Sequence, residues 1–200
     1  MNSKHVNFIA VATVCFSLPA SVLYYALTVN KTTHQPLDEL KIRAALGTIP
    51  NDPDSWSIVV FYDYQCPYCH SMIQNIERAQ ASGQLYARLI LRHFPLTGHP
   101  VASQSAILAK MCKNNRVFSE CHSDLLKLGT KFNLDDIKSI QEKHLSELDP
   151  VEVARVNTRI NSDIADGHTL GIEGVPAAYA IKGSYGFKFH DVANIISITN

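Results

Sequence analysis

Apolar positions along this chain fall either in short unbroken runs or in helical rhythm, and the switches between the two mark its elements. Trp56 to Tyr64 holds Ile58, Val59, Val60, Phe61 and Tyr62 in one run. The run is too apolar and β-branched for a surface loop and too short for a core helix, so it predicts a central strand buried on both faces. After Cys66 the period changes, with Met72, Ile73, Ile76 and Ala79 at helical spacing as far as Ser82-Gly83. Tyr86 to Phe94 (YARLILRHF) predicts a second strand, closed by Pro95. From His99 to about Ala165 the pattern is helical throughout. It runs through Val101, Ala102, Ala106, Ala109 and Met111, then Phe118, Leu125 and Leu126, then Leu134, Ile137 and Ile140, then Val153, Val156, Ile160 and Ile164. Ala177 to Ile181 and Phe187 to Phe189 predict a hairpin around Lys182 to Gly186, followed by a closing helix with Val192, Ile195, Ile196 and Ile198. The expected fold class is α/β, with a helical insertion at about 99–165 inside a domain spanning 56–200.

The N-terminal end is different. Phe8 to Val29 is uncharged and follows Lys4 and His5. As a helix it would reach about 33 Å, enough to cross a bilayer core. Residues 1–29 are therefore expected to be a membrane anchor or a signal peptide, with Leu18-Pro19-Ala20 or Ala26-Leu27-Thr28 as cleavage candidates. Either role exports the remainder of the chain. Cys15 lies within the span as a small lipid-facing residue. Residues 30–55 read as a polar tether with a short helix through Leu37, Leu40, Ile42 and Leu46, stopping at Gly47, and then the turn cluster Asn51-Asp52-Pro53-Asp54.

Charge narrows the function by exclusion. Lys plus Arg equals Asp plus Glu at 18 each, and no long run of like charge occurs, so nothing in the chain is built to hold nucleic acid.

The chemistry gathers at CPYCH, residues Cys66 to His70. A C-x-x-C-H run is the attachment signature of a c-type haem, and C-x-x-C is also the redox dithiol of thioredoxin-like proteins. A strand-to-helix junction favours the second. It puts Cys66 at a helix N-terminus, where free amides and the macrodipole stabilise a thiolate. Pro67 suits the first helical position. Cys69, one turn deeper, is the resolving thiol. A haem site asks for a second axial ligand and a largely helical cage; Met111 and several histidines could be nominated, but the β run before Cys66 argues against it.

Three separated blocks, FYDYQCPYCH, HFPLTGHPVASQSAILAKMC and LGIEGVPAAYAIKG, resemble the DsbA family of exported thiol-disulfide oxidoreductases. The resemblance covers about Ile58 to Gly183. It implies a thioredoxin-like fold with the helical insertion between the second strand and a cis-proline loop. It further implies Cys66 as the nucleophile, Cys69 as the resolving thiol, and Val175-Pro176 as the cis-proline loop, which shapes a substrate groove together with Pro67 and Tyr68. No cofactor is implied beyond the redox-active cysteine pair, and no metal. Substrates would be exported cysteine-containing proteins, and a membrane partner of the DsbB type would restore the disulfide. Two departures matter. Many relatives carry a buried acid six positions before the first cysteine, thought to move a proton to or from the deeper thiol, and this chain has Val60 there. Pro67-Tyr68 also differs from the Pro-His of the strongest oxidants.

Cys112 and Cys121 would face opposite sides of one straight helix. A break at Asn114-Asn115 would let them form a structural disulfide, worth about 2.5 to 3 kcal/mol in loop entropy; otherwise they pack as free thiols. Zinc bound by Cys66, Cys69, Cys112 and Cys121 is disfavoured because the second pair lacks a knuckle spacing. His93, His99, His122 and His168 read as packed or surface side chains, with His99 set apart by lying in the family-like block. Asp63 is expected at a strand end with its charge in solvent; facing the dithiol instead, it would raise the Cys66 pKa. The expected protein is thus a periplasmic or otherwise extracytoplasmic oxidoreductase, tethered to the inner membrane or released by cleavage, and most readily an oxidase. Its rivals are a membrane-tethered reductase or isomerase and a redox-idle binding module.

Overall fold

The computed structural model describes residues 54–183 and 185–199. The expected anchor or signal at 1–29, with Cys15, and most of the tether at 30–55, with its short helix, lie outside the described residues.

Strand β1 (Trp56–Tyr62) is followed by helix α1 (Pro67–Ala81) and strand β2 (Ala87–His93). Four helices come next: α2 (Ala102–Asn114), α3 (Phe118–Lys127), α4 (Leu134–His144) and α5 (Pro150–Thr169). Strands β3 (Ala177–Lys182) and β4 (Tyr185–Phe189) and helix α6 (Val192–Thr199) complete the order. The sheet runs β2-β1-β3-β4. β1 pairs parallel with β2, Trp56 opposite Ala87, and antiparallel with β3, Phe61 opposite Ala177.

β1 is central, which explains its unbroken apolar run. Ile58, Val60 and Tyr62 enter one core with α1 and the inserted helices, while Val59 and Phe61 enter a second with Phe94, Ile172, Ala177, Tyr179 and Ile181. β2 is an edge strand, half-buried along most of its length with Arg88 exposed. The hairpin is tighter than expected: β4 begins at Tyr185 opposite Lys182, and Gly183 takes φ 59°, which a glycine adopts without steric cost.

The insertion is the helical block expected at 99–165, resolved into four helices with local signals at their ends. α2 ends at Asn114, and Arg116 turns the chain with φ 63°, left-handed backbone that costs a non-glycine residue roughly 1 kcal/mol. α3 can then fold back, and Cys112 and Cys121 are joined by a disulfide with Cα atoms 6.3 Å apart. Asn133 and Asp136 form a reciprocal capping box at the start of α4. Asp149 caps α5, with Pro150 in its first turn.

α5 runs past Ala165 to Thr169 and lies close against the end of the sheet. Its Asp163, 1% exposed, accepts hydrogen bonds from Arg92 Nη1 at 2.7 Å, Lys110 Nζ at 2.8 Å and the His93 backbone N–H at 3.2 Å. One carboxylate thereby ties α5 to both β2 and α2. Burial alone would raise its pKa, but Lys110 and Arg92 prevail and hold it below the usual carboxylate range. One turn further, a Cβ on Gly167 would sit 2.8 Å from Phe94 Cε2, so the missing side chain is what admits the Phe94 ring.

Gly167→Ala should therefore destabilise the protein, although alanine is the better helix former by about 1 kcal/mol. Forcing a methyl into a packed site costs about 1–3 kcal/mol, so urea denaturation should show a net loss of up to about 2 kcal/mol. Equal or greater stability would show that Phe94 has room to move.

Candidate active site

The turn after β1 carries Asp63, Tyr64 and Gln65 into the interior and delivers Cys66 to the N-cap of α1. Cys66 N–H donates to the Asp63 carbonyl at 3.1 Å, and the Cys66 carbonyl accepts the His70 N–H at 3.2 Å. Pro67 occupies the first turn of α1, and no side chain caps this end, so its amides are free to face the sulfur. Pro67 and Tyr68 stand out of the surface, Tyr68 at 75% exposure. His70 is buried, and its Nε2 donates to the Tyr64 carbonyl; the histidine of CPYCH braces its own loop.

Cys66 and Cys69 carry free thiols. Cys69 is 0% exposed and Cys66 only 4%, less than a helix N-terminus on its own suggests. The cover comes from the other end of the chain, because the Val175 carbonyl accepts a hydrogen bond from Cys66 Sγ at 3.5 Å. The Val175–Pro176 peptide bond is cis. Residues distant in sequence thus meet over one sulfur.

The two thiols are pushed in opposite directions. A hydrogen bond from the Cys69 thiol is the largest influence on Cys66 and lowers its pKa; burial opposes it, and the backbone N–H groups of Cys69 and Tyr68 add to the lowering, leaving Cys66 at about 6. The helix N-terminus therefore acts through two particular amides, and the partner thiol outweighs them. Cys69 is raised far above the ordinary thiol range, first by that same hydrogen bond, which keeps its proton in use, and then by burial. The position where the resemblance implies an acid is filled by Val60 at 0% exposure, on the same face of β1 as Tyr62. Burial raises Tyr62 and Tyr64 as well, so their rings add no charge beneath the dithiol.

Asp63 corrects the expectation of a solvated charge. Its side chain is 0% exposed, and its Oδ2 lies 2.7 Å from His99 Nδ1. His99 is partly exposed and is the one scattered histidine that reaches the site. The others do not: His93 is buried and driven down to about 3 by desolvation, His122 accepts or donates at Nδ1 to Tyr64 OH at 2.6 Å, and exposed His168 meets the edge of Phe94. Sequence reasoning passes over Gln65, yet its Oε1 accepts from Val101 N–H at 2.8 Å and its Nε2 donates to the Phe132 carbonyl at 3.2 Å. A groove beside the dithiol is lined by Tyr68, Met72, Asn75, Pro176, His190 and Val192. Only Tyr68 and Pro176 of these are candidates by sequence, since nothing in the pattern distinguishes Met72 or Val192 from core residues. Cys112 and Cys121 lie in the insertion, paired with each other. Among the described residues no group of three or more His, Cys, Asp or Glu side chains is placed to hold a metal ion.

Residues 57–135 match the DSBA-like thioredoxin domain, the family that the sequence blocks resemble. No curated protein matches the chain at a significant level. Among solved structures, the catalytic domain of Proteus mirabilis ScsC superposes with a TM-score of 0.60 at 19% identity, covering 79% of this chain and 95% of that one. A periplasmic thioredoxin-like protein from Salmonella enterica serovar Typhimurium gives 0.61 at 22% identity over 82% and 95%. The thiol-disulfide exchange protein α-DsbA2 from Wolbachia pipientis gives 0.57 at 19% over 80% and 92%. The domain match bears out the resemblance to DsbA-like thiol-disulfide oxidoreductases over residues 57–135, and the superpositions bear out the thioredoxin-like fold with its helical insertion.

The opposed acidities predict the titration of the reduced protein. Thiolate absorbance near 240 nm should rise in one step centred near pH 6, vanish in Cys66→Ser, and move to higher pH in Cys69→Ala, because that variant removes the largest lowering influence. Since the folded pKa is depressed, the stabilisation that the Cys66 thiolate gives the reduced fold is complete above the ordinary thiol pKa and is lost as pH falls through about 6. An unshifted titration in Cys69→Ala would show the helix amides to be the dominant cause.

Proposed function

We propose that the protein is an exported oxidase that passes the disulfide of Cys66 and Cys69 to cysteine-containing proteins outside the cytoplasm. The observation that carries this reading is the asymmetry of the pair: a slightly exposed, acidic Cys66 under the Val175 carbonyl, and a fully buried Cys69 that keeps its proton.

In the oxidised enzyme, a substrate thiolate attacks Cys66 Sγ. The Cys66–Cys69 bond breaks, its electron pair goes to Cys69, which takes up a proton, and a mixed disulfide joins the substrate to Cys66. A second substrate thiol, deprotonated, then attacks the substrate sulfur. The substrate gains a disulfide, and Cys66 leaves as a thiolate. The dithiol has then taken up the two electrons that the substrate lost. A leaving group with a low pKa speeds that second step, and a stabilised reduced form makes a disulfide more oxidising. Both favour the oxidising direction. Pro176 and Val175 would line the groove for the substrate strand, with Tyr68 and Pro67 at its exposed rim, while Cys112–Cys121 serves as a staple. The resemblance supplies a DsbB-type membrane partner as the re-oxidant, and Phe8 to Val29 supplies the export signal or tether. Among the described residues no helix is long and apolar enough to cross a membrane; the stretch at issue lies outside them.

Trapping tests the roles. Cys69→Ala should accumulate mixed disulfides through Cys66 that are visible on nonreducing gels, and Cys66→Ser should form none. The potential tests the direction. Equilibration with glutathione should place the pair less negative than about −200 mV, on a scale from about −270 mV for thioredoxin to about −120 mV for the strongest oxidant. A value near the thioredoxin end would make the protein a reductase. Absence of any trapped species in both variants would leave a redox-idle binding module.

A further inference from the structure

We propose that Asp63 and His99 form a positioning and charge-balancing pair for Cys66, in which Asp63 fixes the loop that carries the nucleophile and His99 offsets the carboxylate charge beneath it. The inference rests on the proposed role of Cys66 as the nucleophile and adds two residues to its control.

Asp63 holds the loop from both its main chain and its side chain. Its carbonyl accepts Cys66 N–H at 3.1 Å. Oδ1 accepts Gln65 N–H at 2.8 Å, and Oδ2 accepts Leu96 N–H at 2.9 Å while lying 2.7 Å from His99 Nδ1. The carboxylate therefore joins the residue before the nucleophile to the segment that opens the insertion. That geometry needs an acceptor with several lone pairs, and an ionised aspartate supplies them. A buried negative charge carries a penalty for its neighbours, since it disfavours a second negative charge nearby. The sign is visible here, because the Asp63 carboxylate charge pushes Cys66 upward and acts on Cys69 in the same direction, there against a larger lowering by the Asp63 backbone. A thiolate nucleophile over a bare carboxylate would work against itself.

His99 resolves the conflict. Its ring donates Nδ1–H to Oδ2, and its side chain keeps 27% exposure. Contact with water spares this ring the full burial of His93. In its imidazolium form it completes a neutral pair with the buried Asp63, and the loop keeps its anchor at little electrostatic cost to Cys66. The side chains of Asp63 and His99 make no hydrogen bond to either sulfur; they act on Cys66 through the loop and through their charge.

The test is the thiolate titration of the full reduced protein, which needs no substrate and so can fail independently of the oxidase reading. His99→Gln keeps a donor and removes the charge; it should raise the Cys66 pKa by about half a unit or more. Asp63→Asn should lower it. A half-unit rise is about threefold in the thiol equilibrium, and at 29.6 mV per tenfold it should move the potential roughly 15 mV to the negative side. The double variant should resemble Asp63→Asn, because His99 matters only while the carboxylate is charged. If Asp63→Asn does not fold, His99→Lys decides: it should restore a wild-type titration that His99→Gln has lost. Shifts of the same sign in Asp63→Asn and His99→Gln, or identical titrations in His99→Gln and His99→Lys, would overturn the proposal, since a purely structural role would not separate charge from shape.

Discussion

Everything around the dithiol hangs on the polar turn between β1 and α1. Gln65 and Asp63 are buried there, and their side chains are spent on groups of distant segments: Val101 and Phe132 for Gln65, Leu96 and His99 for Asp63. A buried polar group left without its partner costs about 1–3 kcal/mol, so each bond is enforced by what its loss would leave behind. The inserted helices are in this way fastened to the loop that presents Cys66, and could not shift without unpairing that turn. Apolar packing makes the domain compact, but these few hydrogen bonds set where Cys66 lies.

Over that fixed turn the two sulfurs divide a task that neither could perform alone. The hydrogen bond between them lowers one thiol and raises the other, so a single interaction supplies both a ready leaving group and a protected reserve. Val60 makes the division sharper. With valine at that position, the carboxylate charge that acts on both sulfurs comes from Asp63 in the turn. Electrostatic control has moved from the strand to the turn.

Much of the fold is legible in the sequence because the physics behind it is local. The apolar run of β1, the helical spacing of Met72 to Ala79 and the turn residues around Gly183 each reflect the environment of one element, and the elements form close to where the pattern puts them. The CPYC motif is legible for the same reason, being one strand-to-helix junction. What stays hidden depends on pairs of residues far apart in the chain. Asp63 reads as solvated because nothing next to it announces a histidine 36 positions later. Gln65 has the composition of an ordinary surface residue, and only the folded insertion makes it a clamp. Nothing near Gly167 in the chain announces the Phe94 ring that requires it, because that ring lies on another segment. The near-complete cover of Cys66 likewise comes from the Val175 loop, which a helix-end argument does not include.

The Cys112–Cys121 bond lies in the same molecule as a thiolate chemistry that attacks disulfides, and both of its sulfurs belong to residues at 0% exposure. Exchange requires a nucleophile to approach in line with the sulfur–sulfur axis, and residues without solvent exposure offer it no open approach. Chemical selectivity between the two cysteine pairs is therefore steric in origin. Redox change at Cys66 and Cys69 would thus leave untouched the bond that holds α2 to α3, so reactivity and mechanical integrity are insulated from each other within a single small fold.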